Sequence, residues 1–442
     1  MRPSFAIAFV LSGALAGAPA QLAWAPAAVL ATGGGEKGPW RQNDSRYDYV
    51  DDATVAFDAH GGLALAWVDQ ARKEVLFQRF SAADGRPDGK PVDVSRSPAT
   101  FSWQPRIGAA PGQPDKVCLL WQEIVFSGGS HGGEILFACS DDGGRRFAAP
   151  LNLSRSRGGD GKGRLNRTIW SNGSHDLAVA ADGSIVAAWT EYDGALWLAR
   201  SRDAGASFTA PRQVAGSAAR PARAPALATA PGGRVYLAWT VGEDPAADIH
   251  VAQSTDGGAS FGPPLRVAPG AGHADAPRLA VDRDGALHLA YAEAADGPGG
   301  RYRIRYTRSP GGIDRFGPPR TVSDAAGRES AAYPGVATDA EGGLYLIWEV
   351  LGPGAGRPHA LGMTLSRDGG RSFSTPGLVP GSEAAPGAAN GSQQGLLGKK
   401  LAAGPGGRVA IVNSSLRPDE GSRVWLMRGQ ARRQAVGPVR QR

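Results

Sequence analysis

The sequence predicts an all-β protein assembled from seven copies of one four-stranded unit, and three observations carry that expectation. An octet of the form S-x-D-x-G-x-x-F recurs along the chain. A short apolar run ending in an aromatic recurs at similar spacing. Gly 64 and Pro 33 in 442 residues suit many short strands joined by tight turns.

The octet is intact four times. It comprises Ser140, Asp142, Gly144 and Phe147; Ser201, Asp203, Gly205 and Phe208; Ser254, Asp256, Gly258 and Phe261; and Ser366, Asp368, Gly370 and Phe373. A degraded copy runs from Ser309 to Phe316, with Gly311 and Ile313 in place of the Asp and the Gly. The chemistry is that of a hairpin turn. The Asp carboxylate accepts backbone N–H groups, the Gly takes the positive φ that closes the turn, and the aromatic folds back as an apolar plug.

The second repeat sets the order of the unit. Leu63 to Trp67, Val117 to Trp121, Ile185 to Trp189, Val235 to Trp239, Leu287 to Tyr291 and Leu344 to Trp348 are apolar runs ending in an aromatic; Val409 to Asn413 is a seventh without it. Each follows a Gly-rich turn, and before that turn lies another apolar strand, from Val55 to Phe57 in the first unit to Leu401 to Ala403 in the last. The unit therefore reads strand A, tight turn, strand B, variable loop, strand C, octet turn, strand D. The last unit has a strand C at Val424 to Met427 but no octet and no strand D. Ala27 to Ala31 resembles the other D strands, and its addition to the last unit closes a ring and leaves no sheet edge exposed.

The octet resembles the Asp box, or bacterial neuraminidase repeat, of the sialidase superfamily of β-propellers. The resemblance implies a β-propeller forming one domain over residues 21–430; the count of seven strand-A/strand-B pairs sets it at seven four-stranded blades with an N-terminal strand closing the last, a departure from the six of sialidases proper, which is the alternative. It also implies that the boxes, and with them Asp142, Asp203, Asp256 and Asp368, are structural. They lie between strands C and D, on the face away from the active site. The D-to-A and B-to-C connections then share the functional face around the central channel.

The ends are separate matters. Met1-Arg2, an apolar run from Phe5 to Pro19 and the small residues Ala18-Pro19-Ala20 read as a secretory signal peptide over residues 1–20, so the chain is expected to be exported, periplasmic or secreted. Residues 431–442 form a basic tail. The net charge of +7 is scattered rather than striped, which argues against nucleic acid and agrees with an acidic ligand. No stretch is long enough to span a membrane. Cys118 and Cys139 fall on adjacent strands, as a disulfide or as two buried thiols. No His/Cys cluster has metal spacing and no phosphate loop is present, so neither a metal nor a cofactor is expected, and the chain is expected to be a monomer.

Functional residues are expected at the starts of A strands and the ends of B strands. The residue before the first apolar one of strand A includes three cations, Arg106, Arg278 and Lys400, together with Asp176. Sialidases hold the substrate carboxylate with three arginines, and this set could imitate them. Strand B ends carry Asp69, Glu123, Glu191, Glu293 and Glu349, an acidic ring facing the same opening. The resemblance further implies a Tyr nucleophile with a Glu partner and an Asp acid. Tyr333 stands where the Tyr is expected, Glu123 supplies a carboxylate, and Asp52 or Asp48 the acid. The first three D-to-A connections carry Trp40, Trp103 and Trp170 in polar settings, with His175 beside the last; indole faces stack well on sugar rings. The reading is a propeller that binds a carbohydrate or glycoconjugate, an acidic one, on the channel face. An exo-glycosidase of sialidase type and a cell-envelope interaction scaffold are the alternatives.

Overall fold

In the computed structural model the described residues are 22–431, apart from 111, 126–132, 157–158, 268–271, 299, 324–328, 353–356, 386–387 and 391–397. The expected signal peptide over residues 1–20 lies outside them. Of the tail, only Ala431 is described, and it ends a strand.

Seven antiparallel sheets form a seven-bladed propeller with essentially no helix beyond a single 3-10 turn at Pro405–Gly407 among the described residues. Blade 1 runs outward as Val50–Phe57, Leu63–Asp69, Glu74–Phe80 and Val92–Asp93. Blades 2 to 6 repeat this A-B-C-D order, with A strands at Ser102–Ala109, His175–Val179, Ala222–Ala230, His273–Val281 and Ser330–Thr338. Blade 7 takes Leu401–Gly404, Arg408–Arg417 and Gly421–Ala431 from the C-terminal end of the chain. Its outer strand is Ala28–Gly33, paired antiparallel with Gly421–Ala431. The closing strand was expected at Ala27 to Ala31; it begins one residue later and continues to Gly33.

Hydrophobic burial lies between blades rather than within them. Seven apolar clusters occupy the seven seams among the described residues. One joins Ala66 and Phe77 of blade 1 to Ile107 and Trp121 of blade 2; another joins Val424 and Leu426 of blade 7 to Val55 and Trp67 of blade 1. This explains the continuous apolar B strands, which contact neighbouring blades on both faces. The disulfide Cys118–Cys139 ties directly opposed residues of strands B and C in blade 2.

The four octet turns share one hydrogen-bond pattern. In the third, Ser254 Oγ accepts from Gly258 N at 2.9 Å and donates to Asp256 Oδ1 at 2.7 Å, and Asp256 accepts from Ser260 N at 2.8 Å. The glycines serve close approach as well as φ. A Cβ on Gly144 would come 1.9 Å from Phe77, and one on Gly370 1.9 Å from the Tyr306 hydroxyl, both on the preceding blade. The octet aromatics plug that same seam. Phe147 meets Phe77 edge-on at 5.1 Å, Phe208 meets Phe137 at 4.8 Å, and Phe373 meets Tyr306 at 4.9 Å.

A second repeated device shapes the opposite face. Asp52, Gln104, Ala224, Ala276 and Tyr333 all adopt φ between 51° and 57°, each in a bulge of strand A or of its pairing with strand B. Four of them precede a proline: Pro105, Pro225, Pro277 and Pro334. Non-glycine residues at positive φ cost on the order of 1 kcal/mol each and persist only where the surroundings impose them. The bulge interrupts the inner strand two residues before its last pairing segment, re-aiming the flanking side chains at the channel face.

Candidate functional site on the channel face

Three cations from different blades converge near one carboxylate. Arg106 is fully buried, and its guanidinium donates to the carbonyls of Gly173 at 3.1 Å, Gln104 at 3.2 Å and His175 at 3.3 Å. Burial, reinforced by Arg278, lowers its pKa to about 10, so it stays charged at neutral pH. Lys399 Nζ sits 2.8 Å from Asp176 Oδ1, and Asp176 Oδ2 accepts from Leu227 N at 2.8 Å. Burial alone would raise the Asp176 pKa; Lys399 and Arg278 outweigh it and hold the carboxyl below its ordinary value. His175 donates from Nε2 to the Gln104 carbonyl at 2.7 Å, and burial and Arg106 push its pKa down to about 3, so the ring is neutral.

The expected set of Arg106, Arg278 and Lys400 changes in one member. Lys400 is buried and paired with Glu349, and it is its neighbour Lys399 that reaches Asp176. The two lysines are consecutive in the segment that leads into Leu401–Gly404, and their side chains go to different partners. The expectation of an exposed rim also changes, since Arg106 and Arg278 are 1% and 8% exposed.

The other expected residues are dispersed. Glu123 is buried and accepts from Ser102 Oγ at 2.6 Å, Trp121 Nε1 at 2.9 Å and Thr100; burial raises its pKa. Asp52 accepts from the backbone and side-chain amides of Gln104 at 2.9 and 3.1 Å. Glu293 pairs with Arg305 at 3.1 Å. Glu191 lies beside Asp160, and burial raises the two to about 7 and about 8. Tyr333 is partly buried against Ala224 and Ala276, and burial, then Asp275 and Glu349, push its phenol up. The tryptophans form two groups. Trp40 is 47% exposed and lies 5.3 Å from buried Trp103, whereas Trp170 stacks on Tyr192 at 4.4 Å.

A network that the sequence did not single out lies between blades 4 and 5. Arg223 is buried and donates to Asp275 Oδ2 at 3.1 Å, to the Gly242 carbonyl at 2.6 Å and to His273 Nε2 at 3.3 Å. Asp275 also accepts from Thr240 Oγ1 and Ala276 N, both at 2.7 Å. His273 Nδ1 is 2.7 Å from the Tyr302 hydroxyl, and its Nε2 is 2.8 Å from Asp244 Oδ1. These residues come from A-strand starts, from the B-to-C loop of blade 4 and from the start of strand C in blade 5, positions that no periodic signal marks. The one available clue was the proline after each bulge, which places Arg223 and Asp275 immediately before a strained residue.

Away from this face, a cavity of about 620 Å³ opens between the outer edges of blades 3 and 4, lined by Arg212, Trp239, His250 and Phe261. Among the described residues no group of three or more His, Cys, Asp or Glu is arranged to hold a metal ion, and no helix is long and apolar enough to cross a membrane.

No family model matches the sequence, and no curated protein matches it. Solved structures do match in fold. An ulvan lyase of polysaccharide lyase family PL25 superposes with a TM-score of 0.56 at 12% identity, over 90% of this chain and 95% of the lyase. The same enzyme was solved bound to -[GlcA(1-4)Rha3S]-, with a TM-score of 0.55. An α-L-arabinanase of Penicillium chrysogenum gives 0.48 at 13% identity, over 73% of this chain and 92% of the other; a Hadza microbial sialidase gives 0.45 at 13%, over 68% and 63%. At these identities the likeness is one of fold: the chain is a β-propeller similar in architecture to propellers that act on glycans.

Proposed function

We propose that the channel face binds an acidic polysaccharide, and that the protein is exported to meet it. The observation that carries this reading is the convergence of Arg106, Arg278 and Lys399. Asp176, Asp52 and Asp275 are the carboxylates within their field, and Asp275 is itself paired with Arg223, so four cations face three carboxylates. The burial of Arg106 and Arg278 leaves this field little screened by solvent. Exposed Trp40 and the Trp170–Tyr192 pair offer flat faces for sugar rings on the same side. The ulvan lyase, whose glycan contains a uronate, supports the choice of a carboxylated polymer.

Calorimetric titration with polygalacturonate, ulvan and a neutral glucan at two salt concentrations tests the proposal. Both acidic polymers should bind more tightly than the glucan, and more weakly as salt rises. Lys399→Met should lower that affinity about threefold to tenfold, one exposed-to-partly-buried charge contact being worth about 1 kcal/mol. Equal affinity for all three polymers, or no dependence on salt, would sink the reading.

A further inference from the structure

We infer that the cavity between blades 3 and 4 is a binding site for a small aromatic carboxylate, separate from the channel face. Its place in the fold follows from one row of residues. In blades 1 to 3 the residue of strand C directly opposite the strand-B aromatic is large and apolar: Leu76 faces Trp67, Leu136 faces Trp121, and Trp197 faces Trp189. Opposed residues of an antiparallel pair share one face of the sheet, and each of these pairs packs in the seam toward the preceding blade. In blade 4 the residue opposite Trp239 is His250. Its imidazole is smaller than the Trp197 indole at the same place in blade 3, lies tilted 6.0 Å from Trp239, and stands outside the apolar cluster of its seam. The void of about 620 Å³ opens at this level, within the size range of small-molecule sites.

The lining sets the chemistry of the ligand. Trp239, Phe261, Leu237 and Val241 supply apolar surface, and Pro263 and Pro264 add a rim with no N–H to donate. Three of the polar side chains are engaged within the protein. Arg212 donates from Nη2 to the Gly258 carbonyl at 2.9 Å and lies over the Phe261 ring, 5.7 Å from its centroid. Gln213 donates to the Gly216 carbonyl at 2.6 Å, and Ser217 Oγ accepts from Arg220 N at 3.1 Å.

Two polar side chains remain for a ligand. Arg220 is exposed, and its guanidinium has no hydrogen-bond or ion-pair partner among the described residues. Of the carboxylates nearby, Asp248 is paired with Arg266, the strand-D residue opposite His250, and Asp256 is held by Ser260 in its own turn. The charge of Arg220 is therefore left uncompensated at the cavity. His250 is half-buried, and burial holds its pKa below the ordinary value, so the ring is neutral at neutral pH and offers one hydrogen bond without adding charge. One free cation beside an aromatic wall is matched by a flat apolar body carrying a single carboxylate. A sugar carries hydroxyl groups all round its ring, and burying them here would leave most without partners.

Calorimetric titration of the full chain with 2-naphthoate, with the uncharged 2-naphthamide and with glucuronate tests the assignment. The naphthoate should bind at one site per chain, about fivefold more tightly than the amide, as one partly screened charge contact allows. Excess glucuronate should not displace it. Arg220→Gln, at an exposed position, should erase the preference for the naphthoate while leaving the affinity for the amide and the melting curve unchanged. Gln213→Trp, also at an exposed position of the lining, should fill the cavity and lower the affinity for both naphthalenes about tenfold or more at an unchanged melting temperature. Equal affinity for the two naphthalenes, or a preference that survives Arg220→Gln, would remove the charge from the argument and overturn the proposal. Affinity that survives Gln213→Trp would place the ligand elsewhere, and displacement by glucuronate would make the site one for sugar acids; either result overturns it, as does absence of binding by all three. None of these outcomes bears on the channel face, where the test uses polymers and Lys399.

Discussion

The molecule contains two Asp–His–Tyr chains, and they differ in everything except their residues. On the octet-turn side of blade 5, His288 Nδ1 lies 2.7 Å from the Tyr306 hydroxyl and Nε2 lies 3.1 Å from Asp282 Oδ2. On the channel side, His273 makes the corresponding approaches at 2.7 Å to Tyr302 and 2.8 Å to Asp244. The first chain is sealed. His288 and Tyr306 are 0% and 1% exposed, and Tyr306 is closed over by Phe373 and by the backbone of Gly370 from the next blade. All three of its residues belong to one sheet or its A-to-B turn. The second chain joins two blades, ends in a partly exposed tyrosine, and gives its imidazole a second partner in Arg223. The residue triplet is thus not itself a functional signal. A sealed copy is a polar rivet; an open copy with competing partners can move a proton.

The largest expected difference between the two chains is in stability. His288→Ala leaves the Asp282 carboxylate and the Tyr306 hydroxyl without their shared partner inside a packed seam, and opens a cavity. A loss of about 3 kcal/mol is expected. His273→Ala, at a site where water can reach Asp244 and Tyr302, should cost about 1 kcal/mol. Denaturant unfolding of both variants measures the contrast, and equal losses would mean that the channel-side chain is also a rivet.

Acid sharpens the contrast next. Burial holds His288 below its ordinary pKa, with Asp282 opposing, and burial likewise lowers His273. A histidine depressed in the folded state binds its proton more readily when unfolded. Its contribution is therefore complete above the unfolded value, about 6.5, and is lost as pH falls from there through the folded value. Each such group adds at most about 1.4 kcal/mol per pH unit to the slope. His288→Gln should flatten the stability profile between neutral pH and mild acid. An unchanged slope in that variant would show that the ring titrates alike in the folded and unfolded states.

How much of this was legible beforehand follows from where repetition ends. The octets, the paired apolar strands and the N-terminal closing strand could be read because each blade solves the same packing problem, so Gly144, Gly205 and Gly370 recur for the same steric reason. The channel face has no such period. Lys400 was chosen over Lys399 by counting residues up to an apolar strand, and the two neighbours go to different partners. Arg106 was read as an exposed charge, yet the bulge at Gln104 folds it back onto carbonyls of the neighbouring blade. Pro105, Pro225, Pro277 and Pro334 marked that bulge in plain sight. Proline inside a strand ordinarily argues against the strand, and only the observed bulge shows its recurrence to be a repeated kink. Asp244, His273 and Tyr302 stand 29 residues apart between consecutive members, on a B-to-C loop of one blade and on the A and C strands of the next, and only the packing of the two blades brings them together.

The smallest expected effect is also the cleanest separation of the two chains, because it removes a single oxygen from each. Tyr306→Phe deletes a hydroxyl that is the Nδ1 partner of His288 in a seam with no room for water. The imidazole nitrogen is left buried and unpaired, and the loss should be about 1 kcal/mol. Its ring should stay in place, since the edge contact with Phe373 does not use the oxygen. Tyr302→Phe removes the same atom where the site is partly open, so a water can replace it and stability should change by less than about 0.5 kcal/mol. If both variants lose the same stability, openness does not distinguish the two chains. If Tyr306→Phe alone loses stability, the difference between the sealed and the open chain rests on one hydroxyl and on its access to solvent.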